Sequence, residues 1–310
     1  MRIKSPAKDE WDPGRGGFSA NSTDPRLRLR RLQMLAGAIA LLVLAFAIPF
    51  YELARLAESS QLFSYIPLIP LVSAWLIWTD RGKFRWDSNP DRRLAWIPLV
   101  IGLGLAAYGS LVRPGFDLAQ VDCLALMMLS FVCLLVGLTW LVLGTGAMRS
   151  LAFPLGFLIF CIPFPTALLN GMEYFLQHAS ADVAHVLFWI SGTTFARRGL
   201  LFYLPGITIE VAPECSGIHS TWVLFITSVL AGQLFLRSPW KRILLCVAIL
   251  PLALIRNGIR ILTIGELCIH IGPEMIDSYI HRHGGPIFFI ASLIPFFYFL
   301  RYLRRTETVR

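Results

Sequence analysis

Apolar residues in this chain gather in about eight long stretches, at 34–54, 62–79, 94–112, 122–144, 151–169, 217–236, 243–263 and 286–302, each near the length a helix needs to cross a bilayer. The pattern predicts an all-α fold, a polytopic membrane helix bundle with about eight transmembrane helices. Polar residues are concentrated in the segments between these stretches. A single domain is expected over 34–302, between basic tails at 1–33 and 303–310.

The connecting segments differ in charge. Basic residues cluster in the N-terminal tail (RLRLRR, 26–31), in DRGKFRWDSNPDRR (80–93), at Arg149, in RSPWKR (237–242) and in RYLRRTETVR (301–310). The segments between them, around 55–61, 113–121, 170–216 and 264–285, carry fewer basic residues for their length. By the positive-inside rule the first set faces the cytoplasm, both termini included, and the second faces outward.

One stretch resists simple assignment. MEYFLQHASADVAHVLFWISG has apolar residues at helical spacing but also Glu173, His178 and Asp182. Read as a further span, it would invert every later loop and put the RSPWKR and RYLRR clusters outside. A small amphipathic helix over 172–193, lying in the outer interface, is therefore expected. After it, LLFYLPGITIEV (200–211) places β-branched and aromatic residues around a Pro-Gly turn signal, which predicts a hairpin on the same face.

Composition agrees with a membrane protein: 56% of the 310 residues are hydrophobic and only 15% charged, well below the quarter or so of a soluble domain. The net charge of +9 raises the question of nucleic acid, but short basic clusters between apolar runs are explained by membrane orientation. No nucleic-acid partner is expected. The polar N-terminal tail lacks the layout of a cleaved signal peptide. The cysteines, at 123, 133, 161, 215, 246 and 268, include no CxxC pair, which argues against a zinc site or a disulfide framework.

With this topology, three polar groups reach one membrane face. Cys215 in VAPECSGIHSTW (211–222) stands at the outer start of a span, Arg256, Asn257 and Arg260 lie in the outer half of 243–263, and His281 and His283 precede the final span. Arginine within a span costs roughly 2.5–3.5 kcal/mol on insertion scales, so it commonly faces the protein interior and marks function. The i, i+4 spacing puts Arg256 and Arg260 on one helix face, with Asn257 beside Arg260. Snorkelling to headgroups, or holding the bundle together by hydrogen bonds, is the competing role. A lone cysteine is commonly a small buried hydrophobe. At a helix start, between Pro213 and Gly217, unpaired backbone N–H groups and nearby arginines favour its thiolate instead. Cys123, Cys133, Cys161 and Cys246 lie inside spans without cations, and Cys268 is placed in an outer loop, one conceivable partner for Cys215. Among the histidines, His281 is favoured for proton transfer, and His219, one turn after Cys215, is the local alternative. His178, His185 and His270 read as interface or loop residues.

The ordered set ECSGIHS, NGIRI and H-x-x-x-G-x-x-x-F (His281, Gly285, Phe289) resembles the exosortase/archaeosortase family of integral membrane cysteine transpeptidases. The resemblance implies Cys215 as nucleophile, Arg260 of the N-x-x-R pattern as catalytic arginine and His281 as catalytic histidine, with Arg256, Asn257 and His219 as possible supporting residues. His219 departs from the arginine that follows CSGI in many relatives. The implied partners are exported proteins carrying a C-terminal sorting tail of the Pro-Glu-Pro type, cut at the outer face of a bacterial inner membrane and passed to a membrane lipid or surface acceptor, with no cofactor and no metal. Two other classes fit the span count: a transporter or channel whose arginines bind an anion, and a non-catalytic component of exopolysaccharide export.

Overall fold

The structure, a computed structural model, describes residues 25–83, 92–112, 120–212, 216–277 and 285–308. Its helices are α1 (Pro25–Ala45), α2 (Ala47–Ser59), α3 (Leu68–Thr79), α4 (Trp96–Val112), α5 (Gln120–Leu143), α6 (Thr145–Phe157), α7 (Thr166–Ser191), α8 (Ile218–Phe235), α9 (Pro239–Val247), α10 (Ile249–His270) and α11 (Gly285–Thr308). Among the described residues, six helical segments are individually long and apolar enough to span a membrane, or eight if each of two bent pairs counts as one span. The chain is thus a polytopic all-α membrane bundle. Large apolar side chains such as Leu44, Leu111 and Tyr298 remain exposed on the outward faces of α1, α4 and α11, as lipid contact requires.

Proline sets where the helices break. A proline inside a helix removes a hydrogen bond to the carbonyl four residues back and its ring collides with that carbonyl. Pro49 is four residues after Ala45, where α1 ends, and Pro251 is four residues after Val247, where α9 ends. The stretch expected as one straight first span is accordingly two helices meeting at 68°, and α1 begins at Pro25, earlier than the apolar run itself. The stretch expected as a separate fifth span at 151–169 is likewise corrected. Pro163 and Pro165 interrupt it, so α6 with its short 3-10 extension (Leu158–Cys161) meets α7 at 84°. Neither leg of that pair qualifies as a span alone.

The expected hairpin forms, with one strand more than the sequence suggested. β1 (Ala196–Arg198), β2 (Leu201–Leu204) and β3 (Ile207–Glu210) make an antiparallel sheet in that order, with Leu204 opposite Ile207. Pro205 and Gly206 form the two-residue connection, Gly206 taking φ +82° as its turn demands. Phe202, Leu204, Ile209 and Val211 pack with Ala181, Ala184 and Phe188 of α7 and Ile261 of α10 in a core of their own. A larger core joins α1, α2, α3, α5 and α6, and a third joins α8, α9, α10 and α11.

Hydrogen bonds between distant segments fix which chain ends share a level. At one end, Glu307 of α11 accepts from the backbone N–H groups of Arg237 (3.0 Å) and Ser238 (2.9 Å), and Lys241 donates to the Leu303 carbonyl and the Thr306 hydroxyl. Asp122 at the start of α5 accepts from the N–H (2.6 Å) and hydroxyl (2.9 Å) of Thr166, capping α7 from another helix. The two C-terminal basic clusters thus share one end of the bundle.

Candidate active site

The site is built around the start of α8. The chain leaves β3 through buried Val211, whose N–H donates to the Leu200 carbonyl (3.1 Å) and whose carbonyl accepts from Gln177 Nε2 of α7 (2.5 Å). It enters α8 at Ser216, 2% exposed, and at Gly217, the left-handed N-cap at φ +70°. Two features make glycine necessary there. Left-handed backbone is costly for residues with a Cβ, and a Cβ at this position would lie 3.0 Å from Arg256 Nη2 and 3.2 Å from Asn257 Oδ1.

Those two neighbours come from α10. Arg256 Nη2 donates to the Gly217 carbonyl (3.3 Å) and to Thr221 Oγ1 (3.2 Å). The same carbonyl accepts from the hydroxyls of Ser220 (3.0 Å) and Thr221 (2.8 Å). Arg256 is 7% exposed and Asn257 2%, whereas Arg260, one turn on, is half-buried. Arg256 and Arg260 lie within electrostatic reach of one another, and half-buried His219 on the first turn of α8 is within reach of Arg256.

The depth of this cluster follows from helix length. The span Pro239–His270 has 32 residues, about 48 Å at the α-helical rise, against a hydrocarbon core of about 30 Å. Counted from the basic end at Pro239, Arg256 and Arg260 stand about 25 and 31 Å along, in the later half of the span. The surplus of α10 beyond them is clothed by α7 and the sheet. Glycine allows the close approach: a Cβ at Gly258 would meet Val183 Cγ1 at 2.6 Å, and one at Gly265 would meet Phe188 Cζ at 2.6 Å.

Of the residues singled out in the sequence, Arg256, Asn257 and His219 converge on the start of α8, and Arg260 lies one turn further on the same helix. Cys215, His281 and His283 lie outside the described residues, although Ser216, the chain neighbour of Cys215, is within the cluster. Cys268 is not in a loop: α10 continues through ILTIGELCIH, keeping Ile261, Ile264, Gly265 and Cys268 on its buried face. His270 ends that helix and pairs with Glu266 (3.1 Å), His178 bonds the Tyr174 carbonyl, and His185 packs edge-on against Phe195. Sequence reasoning missed Gln177, Ser216 and Thr221. Ser216 and Thr221 stand inside the 211–222 run, where cysteine and histidine carry the stronger chemical signal, while nothing in the sequence pairs Gln177 with Val211. Among the described residues no group of His, Cys, Asp or Glu is arranged to hold a metal ion.

The family model described as transmembrane exosortase matches residues 57–298, which include every described residue of this cluster. The chain belongs to the transmembrane exosortase family. No curated protein and no solved structure matches it. Exosortases form a family of membrane cysteine transpeptidases that act in protein sorting on exported proteins with sorting signals. In this exosortase, Arg256, the residue just before the NGIR segment of α10, is bonded to the SGIHST segment at the start of α8, one of the stretches that resemble the family in sequence.

Proposed function

We propose that this exosortase is a membrane-embedded cysteine protease and transpeptidase of the inner membrane, cutting C-terminal sorting tails of the PEP-CTERM type on the periplasmic face. The catalytic unit is the single domain 34–302, flanked by cytoplasmic basic tails at 1–33 and 303–310. The observation that carries the reading is the bond from Arg256, the residue just before the N-x-x-R motif, to the Gly217 carbonyl, two residues beyond Cys215.

In the proposed reaction the Cys215 thiolate attacks the scissile carbonyl, and the Arg260 guanidinium stabilises the resulting oxyanion. As the tetrahedral intermediate collapses, the C–N bond breaks and the leaving amine takes a proton from His281, giving a thioester. His281 then removes a proton from the incoming nucleophile, a membrane lipid or surface acceptor, which attacks the thioester and releases the thiolate. Asn257 and His219 support the arginine and the cysteine segment. A buried cation near the membrane rim suits this chemistry, because donors in a site shielded from water act more strongly on a developing oxyanion.

The test is co-expression with a tagged reporter bearing a sorting tail from the same genome, followed by immunoblot. Wild type is expected to shorten the reporter, and Cys215→Ala to leave it at full length while inserting normally in the membrane. Persistent shortening by Cys215→Ala removes the cysteine nucleophile.

A further inference from the structure

A large cavity lies away from the site, among α1, α2, α3, α5 and α6. Its volume is about 790 Å³ and its wall is almost wholly apolar. Along α1 it runs from Leu32 to Val43 and along α5 from Met128 to Leu143, about 16 and 22 Å at the helical rise. The hydroxyls in the wall are already used: Ser73 donates to the Pro154 carbonyl and Thr139 to the Leu135 carbonyl, each at 2.7 Å. A void of this size forfeits the contacts of every atom that lines it, and packed proteins hold few voids larger than a water.

The dimensions decide between occupants. A spanning helix about 30 Å long and about 10 Å across fills roughly 2,400 Å³, roughly three times the cavity. One leaflet of the hydrocarbon core is about 15 Å deep, so a single acyl chain matches the cavity in length and in the character of its wall. Charge is confined to one end. Arg81, just past α3, is the charged residue of the lining, with its guanidinium 4.3 Å from the centroid of the Trp78 ring. At the start of α1, Arg28 and Arg31 stand one turn before the lining residues Leu32 and Leu35, and both are half-buried while Arg26 and Arg30 are exposed. Among the described residues no carboxylate lines the cavity. Guanidinium groups at the end of an apolar slot between helices suit a phosphate that carries a hydrocarbon chain.

We propose that this cavity seats an anionic phospholipid from the leaflet on the side of the N-terminal basic cluster. One acyl chain lies along α1, α3 and α5, and the phosphate meets Arg81 with Arg28 and Arg31 beside it. This lipid is a resident ligand and not the acceptor of the proposed transfer, because its headgroup and the start of α8 lie at opposite ends of the cavity. Ile66 lines the far end, ahead of α3, and follows Tyr65, whose hydroxyl accepts from Trp222 of α8 at 2.8 Å. A chain in the cavity also supports both legs of the bent α1–α2 pair, each of which contributes to the wall.

The test strips the full-length protein of lipid by detergent exchange and titrates it with phosphatidylglycerol or with phosphatidylcholine of the same chains. Native mass spectrometry counts the lipids retained. Wild type is expected to keep one phosphatidylglycerol, bound about fivefold or more tightly than phosphatidylcholine, about five being the factor that one arginine near an anionic headgroup supplies. It should also unfold at a higher temperature with phosphatidylglycerol than without it. Ala74→Phe and Ala54→Phe fill the cavity from α3 and from α2, and each should abolish retention while the lipid-free protein unfolds no lower than wild type. Two filled variants on different walls separate lost binding from lost folding. Arg81→Gln should keep the lipid and cut the preference for phosphatidylglycerol about fivefold. Retention unchanged in both filled variants, equal affinity of wild type for the two lipids, or a preference unmoved by Arg81→Gln overturns the inference. So does displacement of phosphatidylglycerol by a synthetic sorting-tail helix, which gives the cavity to the substrate. None of these readouts needs turnover, so failure here is distinct from failure of the functional reading, which appears as reporter cleavage that persists without Cys215.

Discussion

Trp222 of α8 donates from Nε1 to the Tyr65 hydroxyl across 2.8 Å, joining residues separated by more than half of the exosortase fold in sequence. The indole is held in place by Phe164, at 4.4 Å between ring centroids, and by Phe160 and Phe225. Buried Tyr65 opens the segment that leads into α3. The second turn of α8, next to the Thr221 that Arg256 holds, is therefore tied to the segment that leads into α3. Rigid placement of this kind is what a catalytic cluster at a helix start needs, since small misplacements cost large factors in rate.

Removing one partner of that bond is expected to cost more than removing both. Tyr65→Phe leaves the indole N–H unsatisfied, and Trp222→Phe leaves the phenol so. Each should lower stability by about 1–3 kcal/mol. The double variant keeps two apolar rings without orphaned polar atoms, so its loss should fall short of the sum of the single losses. Thermal or denaturant unfolding of the four proteins in detergent checks this, and strict additivity is the adverse result.

Gly217 is expected to tolerate alanine poorly, for two separable reasons. Left-handed backbone strain costs of order 1–3 kcal/mol, and the added Cβ would also press on Arg256 and Asn257 at 3.0 and 3.2 Å. Gly192 has similar backbone at φ +78° but nothing within 4 Å of such a Cβ. Gly192→Ala should therefore lose stability with little loss of reporter processing per folded molecule, whereas Gly217→Ala should lose both. Equal processing by the two variants would remove the special role of the Arg256 contact.

The α7–α10 interface makes a prediction of rescue. Gly258→Ala forces its Cβ to 2.6 Å from Val183 Cγ1, an overpacking of the kind that costs about 1–3 kcal/mol. Val183→Ala removes the obstructing methyl groups. The double variant is expected to recover much of the stability lost by Gly258→Ala, measured by unfolding in detergent. No recovery would mean that the helices separate in response to alanine instead of clashing at that one point.

What the sequence revealed and concealed follows from range. Long apolar runs are a local signal, so the spans at 62–79, 94–112 and 122–144 reappear within a few residues as Gln61–Thr79, Arg93–Leu111 and Gln120–Leu143. The Pro205–Gly206 turn was legible for the same reason. The bends were legible in principle from Pro49, Pro163 and Pro165, but hydropathy averages across a proline and reads a broken pair as one run. The continuation of α10 past residue 263 was hidden because Glu266 and His270 look like loop residues until their contact one helical turn apart is seen. At the site, the arginine spacing predicted a common face with fair success. That Arg256 would turn back to a glycine carbonyl depends on how α8 and α10 meet, which no spacing within one segment encodes.

Sidedness is the last expectation open to direct measurement. The structure groups the RSPWKR and RYLRR clusters at one end of the bundle, through Glu307 and Lys241. Positive charge should hold that end in the cytoplasm, so the sheet and the start of α8 should face outward. Exposed Glu210 of β3 and exposed Arg304 of α11 report on the two sides. In a Cys215→Ala background, a membrane-impermeant maleimide applied to cells with permeabilised outer membranes is expected to label Glu210→Cys. Arg304→Cys should react only after the inner membrane is broken, while the native cysteines, most of them on span faces within the bundle, supply the unlabelled baseline. The reverse pattern would place the arginine cluster on the cytoplasmic side, where exported tails do not arrive, and would overturn the proposed site of cleavage.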